Sequence, residues 1–151
     1  MCQEPSKEVM EGIGIGIDLG GTRIKGAAFE MTSGQLLHEE TVPTRDGEWV
    51  GGLPAFVDEV RGLVNLFETR ASRTSAVIGL SAPGLVNGAA SRIVAMPGRM
   101  EGLEGLDWPE AIGRPVAVLN DAHAALMGEI WQGAAAGVQD VILLTLGTGV
   151  G

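Results

Sequence analysis

GIGIGIDLGGTRIKGA, Gly12 to Ala27, is the stretch whose reading decides the fold. Isoleucines at 13, 15 and 17 alternate with glycines, which is the period-two pattern of a buried strand with one packed face and one face open to close approach. Asp18 and Gly20-Gly21-Thr22 interrupt the run, and alternation resumes from Thr22 to Phe29. Two glycine-loop fingerprints fail here by counting. Walker A needs Lys and a hydroxyl after its second glycine, and Gly21 is followed by Thr22-Arg23. The dinucleotide fingerprint needs glycine at 17 or at 19, where the chain has Ile17 and Leu19. Both also need a helix after the loop, so Gly20-Gly21-Thr22 is predicted as a turn between strands.

Such a turn has two readings. Its backbone N–H groups and the Thr22 hydroxyl can form a nest for phosphate, with Asp18 compensated by Mg²⁺, directly or through a water. Alternatively it is a tight hairpin in which Asp18 bonds the N–H groups of its own turn. Leu144-Thr145-Leu146-Gly147-Thr148-Gly149 repeats the plan of Ile17 to Thr22, an apolar strand followed by Leu-Gly and then Gly and Thr. Two facing turns of this kind are suited to clamp a polyphosphate, which favours the phosphate reading.

Outward from these turns, a third strand is predicted over Gln35–Thr44, and a helix over Leu53–Phe67 from apolar spacings of three and four. Further strands are expected at Ser75–Leu80, Pro115–Asn120 and Asp140–Leu146, with a helix from Asp121 that Gly133 or Gly137 ends. The segment from Pro83 to Pro115 reads as loop. The order βββ-α-β-loop-β-α-β argues for an α/β fold, a mixed sheet with helices on both faces. Residues 1–11 read as a disordered leader, 12–138 as one lobe, and 139–151 as the first strand and phosphate turn of a second lobe.

The chain has 151 residues, 45% of them apolar, enough for a sizeable core, and a net charge of −9. That charge disfavours nucleic acid and anionic lipid as partners. Cys2 is the single cysteine, no basic-then-apolar signal layout opens the chain, and no apolar run is long enough to span a membrane. A cytoplasmic location fits. Asn120-Asp121 stands where a strand gives way to a helix, the place where ligands gather in open α/β sheets. Both residues are good helix N-caps, but capping by one leaves the other free. Asp121 is the candidate base for deprotonating an attacking hydroxyl in phosphoryl transfer.

With Asp18-x-Gly-Gly-Thr, Pro83-Gly84, Asn120-Asp121 and Gly147-Thr148-Gly149 in place, the chain resembles the amino-terminal half of the ROK family of bacterial sugar kinases; the run NDAHAALMGE, Asn120 to Glu129, is the most specific piece. The resemblance implies a ribonuclease-H-like lobe of the actin, sugar kinase and heat-shock ATPase superfamily, acting on ATP with Mg²⁺ and a hexose or related sugar. It implies phosphate contacts at Asp18, Gly20, Gly21, Thr22, Arg23, Gly147, Thr148 and Gly149, with Mg²⁺ held by Asp18 through water. It further implies sugar contacts at Pro83, Gly84 and Asn120, with Asp121 as base, and a homodimer as a family expectation. Arg23 stands where the family has lysine, and Pro97-Gly98 where hexokinase-type members have Pro-Asn. The family's structural zinc site, which needs several cysteines, cannot be built with Cys2 alone.

Overall fold

The computed structural model describes residues 11–96, 98 and 100–145. Residues 1–10 of the expected leader at 1–11 and the turn Gly147-Thr148-Gly149 lie outside them. Three strands run first in a meander, β1 (Ile13–Leu19), β2 (Arg23–Glu30) and β3 (Leu36–Pro43). A short hairpin of β4 (Trp49–Val50) and β5 (Leu53–Pro54) leads into α1 (Ala55–Ala71). Next come β6 (Ser75–Ala82), the small hairpin β7 (Leu85–Val86) and β8 (Ile93–Ala95), α2 (Trp108–Ile112), β9 (Ala117–Asn120) and α3 (Asp121–Gln132). The main sheet has the order β3-β2-β1-β6-β9, with the meander antiparallel and β1-β6-β9 parallel.

Alternation in β1 sorts its two faces. Ile13, Ile15, Ile17 and Leu19 are all buried, and the last three join Phe56, Val60, Val64 and Phe67 of α1 in one core. Full burial of each of these side chains contributes about 1.5–3 kcal/mol, and together they fix the register, because a slip by one residue would turn Asp18 into this core. Helix α1 has no side-chain cap at its start, but carries Asp58 in its first turn and Arg70 in its last, each matched to the helix dipole. It ends on Ser72 in the left-handed region at φ 52°.

The second face is built from the other parity. Thr41, Lys25, Asp18, Ser81 and Leu119 lie in one rung across the sheet, and Glu39, Ala27, Gly16, Gly79 and Ala117 in the next. Helix α3 crosses this face from Asn120 to the β2–β3 turn, where Trp131 meets Phe29 edge-on at a centroid distance of 5.9 Å. The expected helices on both faces are therefore present. None of the residues of α3 is buried, and a trough of about 730 Å³ remains between it and the small residues of the sheet.

The expected strand over Asp140–Leu146 does not form within the described residues. Val141 to Thr145 have no regular structure, and Ile142 and Leu144 are exposed. A strand exists only when its N–H and C=O groups find a ladder partner, and none of the described strands runs beside this segment. The predicted start of α1 at Leu53 also shifts, because Leu53 and Pro54 pair with the β4 strand instead.

One polar cluster ties the far end of α1 to the sheet. The Glu68 carboxylate accepts from Ser75 N–H, Ser75 O–H and Arg114 Nη1, each at 2.7 Å. Burial pushes the Glu68 carboxyl up, but the Ser75 donors and the Arg114 guanidinium outweigh it and hold the group below its ordinary value. A depressed folded-state value means that the stabilisation is present above the unfolded value near 4.5 and is lost as the pH falls through the folded one. Glu68→Gln should therefore cost about 1–2 kcal/mol in urea unfolding at pH 7 and flatten the loss of stability in acid. A variant whose acid slope matches the parent's would count against this assignment.

Candidate active site

Asp18 is the last residue of β1 to reach the second face before the turn. Its carboxylate does not close the turn: Oδ1 accepts from the Ser81 hydroxyl at 2.8 Å, across the β1–β6 register. The turn is closed by its own backbone, Gly20 N–H to the Arg23 carbonyl at 3.1 Å. A Cβ on Gly20 would lie 2.9 Å from that carbonyl oxygen, whereas one on Gly21 would meet nothing within 4 Å. Among the described residues, the N–H groups of Gly21 and Thr22 have no hydrogen-bond partner. The hairpin reading, with Asp18 spent on its own turn, is thus not what the side chains do.

The helix start divides its two polar residues. Asn120 is the N-cap, its Oδ1 accepting from Ala122 N–H at 3.0 Å and His123 N–H at 3.4 Å, and its Nδ2 donates to the Gly84 carbonyl at 3.0 Å. One side chain so brackets the head of α3 to the Pro83-Gly84 turn. Asp121, exposed in the first turn, accepts among the described residues only from Ala122 N–H, at 2.8 Å through Oδ1, and none of them bonds its second oxygen.

These pieces meet in a cleft of about 570 Å³ lined by Asp18, Leu19, Gly20, Gly21, Ser81, Pro83 and Asp121, with Ala124 and Ala125 of α3. The trough under α3 is larger, but its lining is mostly small and apolar, and the two carboxylates suited to phosphoryl chemistry come together only in the cleft. Thr22 and Arg23 do not line it; Arg23 begins β2, exposed, opposite Pro43. Gly84 and Asn120 stand behind the wall, bonded to each other. Gly98 lines a separate hollow with Asp46, whose carboxylate accepts from the N–H groups of Met100 and Glu101. No group of three or more His, Cys, Asp or Glu capable of holding a metal occurs among the described residues. A lone carboxylate with one free oxygen suits Mg²⁺, which keeps most of its waters and takes the rest of its shell from phosphate.

Ser81 is the wall residue that sequence reading passed over. Its only signal is its place two residues before Pro83-Gly84, and its partnership with Asp18 follows from parallel register over a separation of 63 residues.

The description "ROK family" matches residues 14–151. The chain belongs to the ROK family. A glucokinase of Halalkalibacterium halodurans is 34% identical in an alignment 145 residues long that covers 91% of this chain and 42% of that protein. Among solved structures, a ROK hexokinase from Thermus thermophilus superposes with a TM-score of 0.75 at 31% identity, over 93% of this chain and 45% of that one. A ROK glucokinase from Streptomyces griseus, in complex with glucose and AMPPNP, gives 0.72 at 32%, over 93% and 43%. This ROK chain spans less than half the length of these relatives, and the match confirms the actin- and hexokinase-like fold that the resemblance implied.

Proposed function

We propose that the chain is the amino-terminal part of an ATP-dependent sugar kinase, with residues 139–151 beginning a second lobe. The observation that carries this is the division of labour at the head of α3: Asn120 caps the helix, and Asp121 faces the same cleft as Asp18 and the Gly20-Gly21 turn. The relatives' kinase names and the glucose–AMPPNP complex of one of them support the substrate class.

In this reading Asp121 accepts the proton of a sugar hydroxyl as its oxygen attacks the γ-phosphorus in line, and ADP leaves. The free N–H groups of Gly21 and Thr22, with the Thr22 hydroxyl, take phosphate oxygens on one side. Gly147, Thr148 and Gly149 supply the opposing turn, and the Arg23 guanidinium adds positive charge nearby. Pro83, Gly84 and Asn120 form the sugar side. Bound Mg²⁺ would neutralise phosphate charge, with Asp18 reaching it through a water and Ser81 orienting Asp18. Exposed Ile142 and Leu144 suit a strand that pairs within the second lobe. A reducing cytoplasm and a pair of copies belong to the same reading.

The test is a coupled ATP assay on the complete protein over glucose, N-acetylglucosamine, mannose and β-glucosides. Sugar-dependent ADP release is expected. Sugar binding by calorimetry with no turnover would instead make the protein a sugar-sensing relative that has lost the chemistry.

A further inference from the structure

The residue after β3 is Thr44, one of the two buried polar or charged side chains among the described residues, with no exposed surface at all. Burying a hydroxyl without a partner costs free energy, so its partner is informative. That partner is the carbonyl of Gly20, at 2.5 Å from Thr44 Oγ1. The backbone of the same residue makes a second contact, Thr44 N–H to the Thr22 carbonyl at 3.0 Å. Thr44 therefore holds the glycine turn at both of its ends.

A peptide unit is planar, and in the trans form its C=O and N–H point in opposite directions. No cis bond occurs among the described residues. Fixing the Gly20 carbonyl toward buried Thr44 consequently fixes the N–H of Gly21 in the opposite sense, on the open side of the turn where Gly20 and Gly21 line the cleft. Two successive glycines would otherwise let this peptide rotate freely. The frame around Thr44 is itself braced. Arg45, in the left-handed region at φ 57°, bonds Glu48 at 2.7 Å and reaches Glu59 of α1 at 3.1 Å.

We propose that Thr44 is a positioning residue for nucleotide binding: its buried hydroxyl sets the Gly20–Gly21 peptide plane so that the Gly21 N–H is presented to phosphate before any ligand arrives. This rests on the reading of the turn as a phosphate site. A donor fixed in advance binds more tightly because the ordering is already done.

The experiment compares Thr44→Val, nearly the same shape without the hydroxyl, with Thr44→Ser, which keeps it, in the complete protein. Calorimetry with AMPPNP and Mg²⁺ should show about tenfold weaker binding in Thr44→Val and parent-like binding in Thr44→Ser. The KM for ATP should rise while sugar affinity and the KM for sugar stay put, a split that general loosening of the fold would not give. Ligand-free crystal structures should show the Gly20–Gly21 peptide rotated in Thr44→Val and unchanged in Thr44→Ser. If Thr44→Val does not fold, Thr44→Cys, a weaker donor, is read in the same way. Equal nucleotide affinity and an unmoved peptide in the hydroxyl-less variant would overturn the proposal alone. Failure of the parent to bind AMPPNP would overturn the phosphate reading, and with it the nucleotide role of Thr44.

Discussion

Asp121→Asn should lower kcat for sugar phosphorylation by about 10²–10⁴-fold, the usual worth of a general base, with the KM values for sugar and ATP moving no more than about threefold. The substitution is clean because of what Asp121 does structurally. Its one hydrogen bond among the described residues is with Ala122 N–H, and the amide oxygen of asparagine accepts that bond equally well. The cap of α3 belongs to Asn120 and is untouched. What is lost beyond the base is a negative charge in the first turn of the helix, about 0.3–1 kcal/mol at an exposed site. A fall in kcat with little change in Tm is therefore attributable to proton transfer. Unchanged turnover would sink Asp121 as the base and turn attention to Asp18, the other carboxylate lining the cleft among the described residues.

The frame around this site was legible where it is written in local periodicity. The Ile-Gly alternation of β1, the Ser75 strand and the three-four spacing of α1 each record which face is buried, and burial followed them. The end of α1 was less visible, since the polar residues Glu68 to Arg70 carry it past Phe67 without an apolar signal. The strand expected over Asp140–Leu146 has no ladder within the described residues for a different reason: an apolar run specifies extended chain, but pairing is a property of the neighbour, which the described residues do not supply. At the site, Asp18 and Asp121 could be picked out by their place at strand ends. Whether Asn120 or Asp121 takes the cap could not, because both chemistries suit it and only side-chain geometry decides. Ser81 had no signal beyond its place before Pro83-Gly84, and Thr44 was invisible altogether. Their partners lie 63 and 24 residues away, and no local pattern encodes a contact that depends on register across the sheet.

Gly84→Ala should be strongly destabilising, costing on the order of 3 kcal/mol or more and lowering Tm by roughly 6–12 °C for a domain of this size. Gly84 has φ 108°, outside the range that residues with a Cβ ordinarily adopt. An added Cβ would also stand 2.7 Å from the Ala95 carbonyl oxygen, 2.7 Å from Ile93 Cγ2 and 2.9 Å from Met96 Cβ. The carbonyl is backbone and cannot swing aside, so relief requires moving the β7–β8 hairpin, in which Leu85 is paired with Ala95. The consequence does not stop at stability. The Gly84 carbonyl is the acceptor for Asn120 Nδ2, so a displaced turn pulls on the residue that caps α3 and sets the position of Asp121. Activity should therefore fall by more than the unfolded fraction accounts for, at temperatures well below the variant's Tm. Gly88→Ala, in the loop of the same hairpin, where an added Cβ meets nothing within 4 Å, is the control. A Gly84→Ala protein that is less stable but fully active when folded would make the turn a scaffold only, and the bracket from Gly84 through Asn120 to the base would then have no functional content.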